Sequence, residues 1–281
     1  MNTAAIKTDT VKTHRGRVWF DLLADNMMVH EGAVPSVMIA NGNLAELPCS
    51  LILVQPDKNN LYPRAINGEV GLLEGWALAD AIHNIVSKDA ESEQKSAIIA
   101  IVDVPSQAYG RREEALGIHQ ALAAAVSAYA QARQAGHPVI SLLVGKAMSG
   151  AFLAHGYQAN TILALNDDGV MVHAMGKAAA ARITMRSEEE LDQLAKTIPP
   201  MAYDLKSFAT LGLIEKFIDV SSADAPSSKD IELVQILLAD ALESLKGDTQ
   251  ITKRLQGENR GASRRVRELL RAQWKKAEPN L

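Results

Sequence analysis

The chain contains one cysteine, Cys49, in 281 residues, so no internal disulfide can form and a reducing compartment is expected. Aromatic residues are scarce at 4%. Alanine is abundant, which points to closely packed helices rather than a core built on rings. Neither sign of charge dominates: 29 Lys and Arg stand against 33 Asp and Glu, a formal net charge of −4. The chain as a whole is no polyanion binder, and nucleic acid is not an expected partner. No apolar run approaches the roughly 18 residues of a membrane span, so no membrane contact is expected either. The opening MNTAAIKTDTVKTHRGR lacks the apolar stretch of a secretory signal, and the cytoplasm is the expected location. Reactive signatures are missing as well. There is no Walker loop, and Gly68–Gly75 (GEVGLLEG) has the wrong spacing for a dinucleotide fingerprint. The histidines are scattered without metal-ligand spacing, so no metal is expected. Ser149 has Ala147 where a nucleophile elbow requires glycine.

What remains is a folded chain with 47% hydrophobic residues and room for a sizeable core. Short β-branched or Leu-rich runs predict buried strands at Ser36–Ala40, Ser50–Val54, Ala97–Val102, Val139–Val144, Thr161–Leu165 and Val170–Val172, with a last strand-like run at Leu213–Val220. Helices are predicted at Gly71–Val86 and at Glu113–Ala135, the second stopped by Gly136 and Pro138. Strand and helix alternate, which is an α/β pattern with right-handed crossovers. Residues 1–14 are polar and are expected to form a mobile N-terminus, followed by a domain over 15–220. Ser221–Asp230 reads as a linker, and Ile231–Leu245 as an amphipathic helix. The tail from Ile251 to Lys276 carries nine Lys and Arg against Glu258 and Glu268. The 221–281 region thus reads as linker and basic helices, suited either to partner contact or to simple solvation.

Two loops carry the chemistry that can be read. In PVISLLVGKAMSGAFLAHG (138–156) a strand ends near Val144 and a helix begins near Gly150. Gly150 and Ala151 then present unpaired N–H groups at a helix start, where small residues admit a substrate carbonyl. That arrangement suits an oxyanion hole, and it suits equally a tight corner that needs small residues only for packing. In VDVPSQAYGRREEALG (102–117) a strand ends at Asp103, and Glu113 and Glu114 fall in the first turn of a helix. Both loops leave the carboxyl ends of strands, the edge where α/β sheets bind ligands.

These two stretches resemble the carboxyltransferase branch of the ClpP/crotonase superfamily. The matching residues are Val104–Gly110 (VPSQAYG), Pro138–Val139 and Ser149–Ala151 (SGA). Gly68–Asp80 (GEVGLLEGWALAD), AYGRREEALGIHQALA and the basic tail resemble, within that branch, the γ subunits of biotin-independent malonate decarboxylases. Ser106-Gln107 and Lys146-Ala147-Met148 stand where the family's biotin-dependent members carry glycines. The resemblance implies a crotonase-type spiral of ββα units with a helical C-terminal extension. It implies an enzyme that acts with a β subunit on malonyl-S-acyl carrier protein. The prosthetic group, phosphoribosyl-dephospho-coenzyme A, would sit on the carrier and no cofactor on this chain. A thioester enolate would be held by main-chain amides, with the site between the subunits.

On this reading Gly150, Ala151, Tyr109 and Ser149 are the candidate catalytic residues, and Gln107, Gly110, Lys146 and Arg111 the candidate substrate-binding ones. Tyr109 either contacts substrate or packs its loop. Gln107 orients a carboxylate or stabilises the loop. Ser149 donates a hydrogen bond or caps a helix. Lys146, Arg111 and Arg112 attract an anion or are simply solvated. His119 and His155 read as core or surface histidines, and Cys49 as inert. Three rivals stand beside the main reading. One is a ClpP-like serine hydrolase using Ser149 and His173. Another is a lone acyl-CoA hydratase or isomerase using Glu113 or Glu114. The third is a scaffold with no chemistry of its own.

Overall fold

The computed structural model describes residues 14–277, apart from 45, 246 and 248. The strands are β1 (Met28–Glu31), β2 (Val37–Leu44), β3 (Leu47–Val54), β4 (Ala97–Val104), β5 (Val139–Met148), β6 (Thr161–Leu165), β7 (Met171–His173) and β8 (Lys216–Ile218). They form one sheet in the order β1-β2-β3-β4-β5-β6-β8, with β7 paired to β5 off that path. β1, β2 and β3 are antiparallel neighbours, and the pairings from β3 onward are parallel. β4 and β6 are apolar on both faces and buried almost throughout, as a parallel sheet covered on both sides requires.

Helices supply that cover. α1 (Arg15–Leu23) and α9 (Ser228–Ser244) pack on each other and against the central strands. α2 (Leu72–Lys88) and α4 (Ile118–Gln134) pack on each other and against β2 and β5. The alanine content explains how closely α2 and α4 approach: a Cβ at Gly75 would lie 2.7 Å from the Ala121 main chain. Glu74, in the first turn of α2, is buried yet fully partnered. It accepts from Gly71 N–H (2.9 Å), Ser36 Oγ (2.6 Å) and Asn60 Nδ2 (2.7 Å).

The structure lengthens most predicted strands and changes several elements. The helix expected over Glu113–Ala135 is two helices, α3 (Arg111–Ala115) and α4, because Gly117 adopts φ 85° and breaks the run. β5 does not end at Val144 but continues to Met148. β1 is exposed along its whole length, so no burial pattern marked it in the sequence. Helices α5 (Ser149–Ala154), α6 (Lys177–Thr184), α7 (Glu188–Ala195) and α8 (Leu205–Ala209) fill the second half of the chain, and the last three were not legible as helices.

The 221–230 stretch is strapped down rather than slack. Asp230 accepts from the N–H and Oγ of both Ser221 and Ser227, Trp19 Nε1 donates to Ala223 O (2.8 Å), and Arg15 pairs with Asp224. These bonds hold the Asp230 carboxyl far below the usual carboxylate range. α9 buries Val234, Leu238 and Leu242 in the main core, so that core extends well beyond residue 220. The expected mobile N-terminus, 1–14, lies outside the described residues except for His14, which bonds Asp103. α10 (Gly261–Ala277) adds no side chain to the main core, with Val266, Leu269, Leu270 and Trp274 exposed along one stripe and Arg264, Arg267, Arg271 and Lys275 on the other side.

Gly75→Ala is expected to wedge α2 from α4 and lower unfolding free energy by about 1–3 kcal/mol, measured by denaturant titration. An unchanged midpoint would show that the helices separate freely.

Candidate active site

The site begins with a change of strand partner. β5 pairs with β6 as far as Leu143 and with β7 from Lys146 onward. Gly145 sits between these two stretches. A Cβ there would fall on the Asp103 carboxylate, so the close approach requires glycine. Asp103 Oδ1 accepts from Lys146 N–H and Oδ2 from Gly16 N–H, both at 3.0 Å. His14 Nε2 lies 3.3 Å from the same carboxylate. One side chain therefore fixes the far end of β5 against the start of α1.

Beyond Met148 the chain turns sharply. Ser149 adopts φ 57°, a left-handed conformation that disfavours side chains by about 1–2 kcal/mol. α5 follows at once, and its far end is anchored by a buried pair. His155 Nε2 bonds Ile101 O at 3.0 Å, so Nδ1 is the acceptor for the Tyr129 hydroxyl at 3.0 Å. Burial holds the His155 imidazole neutral, with its pKa lowered to about 4, and raises that of Tyr129.

The second loop meets this corner. Val70 and Gln107 form a parallel bridge between the segment before α2 and the loop after β4. From there the Gln107 side chain reaches across, and its Oε1 accepts Gly150 N–H at 2.5 Å. The amide expected to be free is thus already holding a carbonyl oxygen.

Gln107, Ser149 and Gly150 line one end of a cavity of about 540 Å³. Phe152, Val172, Phe208 and Leu213 give it an apolar wall, and Arg260 contributes a permanent positive charge. An apolar wall strengthens a hydrogen bond made against it. His173 also lines it. Its Nδ1 lies 2.9 Å from Met175 O, and its ring stacks on Tyr203 with centroids 3.8 Å apart. Burial lowers the His173 pKa.

The remaining candidates are distributed around this cavity rather than in it. Ala151 is fully buried beneath the corner. Tyr109 is exposed (56%) on the loop beyond Gln107, Gly110 precedes α3, and Arg111 is exposed at its first position. Lys146 is exposed on β5, and Arg112 lies over the Tyr62 ring at 5.0 Å. Glu113 and Glu114, the carboxylates a hydratase would need, do not line the cavity. Ser149 and His173 share it, but no hydrogen bond joins them. Arg260, Phe208 and Leu213 were missed as site residues because a basic tail, a loop and the start of a strand-like run say nothing of which cavity they return to. The described residues contain no cluster suited to a metal ion and no helix long and apolar enough to cross a membrane.

The fold defines a class, the crotonase-type α/β proteins. Transcarboxylase 12S shares the fold alone, at TM-score 0.59 and 20% identity over 82% of this chain and 41% of that one. The family model "Malonate decarboxylase gamma subunit" matches residues 65–274, and the chain belongs to that family. A Pseudomonas malonate decarboxylase hetero-tetramer solved with coenzyme A contains a chain 57% identical, with TM-score 0.89, covering 93% of this chain and 100% of that one. The Pseudomonas MdcD-MdcE hetero-dimer gives 55% identity and TM-score 0.85 at the same coverage. A malonyl-S-ACP:biotin-protein carboxyltransferase of Malonomonas rubra is 33% identical over 189 residues, 66% of this chain. The chain spans 65% of that relative's length.

Stability is expected to fall as pH drops from 6.5 toward 4, by about 3 kcal/mol, because the unfolded chain takes up a proton that buried His155 refuses. Below that window the His155 contribution levels off, while the lowered Asp230 carboxylate continues the loss in more acidic solution. His173 adds a slope of the same sign. Denaturant titrations at stepped pH should show the slope, and His155→Gln should flatten most of it.

Proposed function

We propose that this chain is the γ subunit of a malonate decarboxylase and acts with a β subunit. The pair converts malonyl-S-acyl carrier protein to acetyl-S-acyl carrier protein and CO2. Family membership supports this, as do the named activities and assemblies of the relatives. The bond from the methylene carbon to the carboxylate breaks, and its electrons pass into the thioester as an enolate. That carbon then takes a proton. No base is needed for the first step, because CO2 leaves without one. What the step requires is a hydrogen-bond donor fixed in advance at the thioester oxygen.

One observation carries the reading: Gly150 N–H already holds an sp² oxygen, that of Gln107, inside a largely apolar cavity. The corner can therefore seat a thioester oxygen in the same place. Ser149 stands beside it as a second donor, while Ala151 shapes the turn from beneath. Tyr109, Gly110, Arg111 and Lys146 lie outside the cavity, where the β subunit or the carrier reaches them. The thioester rides on the carrier's phosphoribosyl-dephospho-coenzyme A group, and this chain holds no cofactor itself. The reaction takes place in the cytoplasm. α10 serves partner contact, since its exposed apolar stripe needs a cover and its basic side suits an acidic neighbour.

Malonyl-carrier decarboxylation is expected from the co-expressed pair and from neither chain alone. Gly150→Pro removes the donor and should lower kcat by about 10²–10³ in an intact pair, whereas Gly150→Ala keeps the N–H and should lose less. Full activity in the proline variant would leave this chain a scaffold. Leu270→Asp combined with Trp274→Asp should abolish pairing in size-exclusion chromatography with light scattering while the circular dichroism of the chain stays unchanged. A persistent pair would place the interface elsewhere.

A further inference from the structure

The backbone around Gln107 is held on several sides. Ala108 N–H donates to Val70 O at 2.9 Å and Val70 N–H to Ser106 O at 3.1 Å. The Gln107 carbonyl accepts from Ser106 Oγ and from Tyr109 N–H, each at 2.9 Å. The side chain is the part left to move. Its Oε1 contact with Gly150 N–H spans 43 residues and joins the two loops at the cavity wall. A carbonyl entering for that amide meets an oxygen of its own kind already in place.

Resting on the reading that Gly150 holds the thioester oxygen, we propose that Gln107 is a displaceable occupant of that position and sets the affinity for substrate. In the unliganded chain its carbonyl keeps the amide satisfied. This removes the penalty of a bare donor in an apolar cavity and shuts out water. On binding, the thioester oxygen takes over the amide and the Gln107 side chain rotates aside while its backbone stays bridged to Val70. An incoming oxygen must therefore outcompete a neutral amide carbonyl, a modest barrier for a thioester whose other contacts lie along the cavity. A carboxylate in the same place would be a much stronger competitor, because charge-assisted hydrogen bonds are roughly twice as strong as neutral ones. Gln107 is thus a specificity-determining residue that acts by competition.

The test uses the assembled β–γ pair and a malonyl thioester, with Gln107→Ala and Gln107→Glu compared to the parent. Removing the competitor should lower KM by about 2- to 12-fold, the range spanned by the net worth of a neutral hydrogen bond, with the change falling in KM rather than kcat. Gln107→Glu should raise KM above the parent. The order Ala, Gln, Glu in rising KM is the signature, since a purely structural side chain would make both variants worse. Hydrogen exchange at the Gly150 amide of the pair, read by mass spectrometry, should speed up in Gln107→Ala. A KM that is flat or raised in Gln107→Ala, in a pair that does decarboxylate, overturns the proposal and leaves the decarboxylase reading standing. A parent pair that does not decarboxylate at all overturns that reading, and this proposal with it.

Discussion

The carboxylate of Asp103 is the constraint on which the cavity's geometry rests. It sits at the end of β4 and accepts the main-chain N–H of Gly16 from α1 and of Lys146 from β5. Gly145 has no side chain to hold it off. The register between β4 and β5 shifts at this point, where β5 leaves β6 for β7. Three residues on from Gly145 the strand ends at Met148, and Ser149 takes its left-handed turn. The chemistry assigned to the corner is main-chain chemistry, and main-chain donors are placed only as well as the strand that carries them.

Polar groups near the site are correspondingly quiet. His155 and Tyr129 are buried, bonded and held in their neutral forms. They brace α5 rather than move protons. Glu74 and Asp230 spend their oxygens on backbone and side-chain donors that fix helix starts. A reaction that expels CO2 and needs no prior deprotonation places few demands on titrating side chains. It does demand that nothing shift at the turn, and the surrounding bonds meet that demand.

Much of the fold was legible in the sequence because its central strands are buried on both sides. Ile98–Val102 and Thr161–Leu165 stand out as apolar runs with no other plausible use. β1 was not legible, since all four of its residues face solvent. The two loops of the site were legible as loops, but the bond between Gln107 and Gly150 was not, because spacing says nothing about which way a glutamine side chain points. The wall formed by Phe208, Leu213 and Arg260 was invisible for a related reason. It is assembled from segments far from the two loops in sequence, brought together by contacts such as Arg260 Nε to Leu211 O at 2.8 Å.

The segment that leads into α10, residues 251–260, is fastened at one point. Arg254 is buried without a carboxylate, and burial lowers its pKa to about 10. Its guanidinium is satisfied by the carbonyls of Tyr157 (2.7 Å) and Ala159, and it lies 5.3 Å from the Tyr157 ring centroid. Tyr157 is itself part of the cavity wall. Six residues separate this rivet from α10, and Arg264 in the first turns of that helix donates back to Leu255 O (2.8 Å) and Gly257 O (3.1 Å). Whatever is bound by α10 is thereby held within a few residues of a group fastened to the Tyr157 side of the cavity.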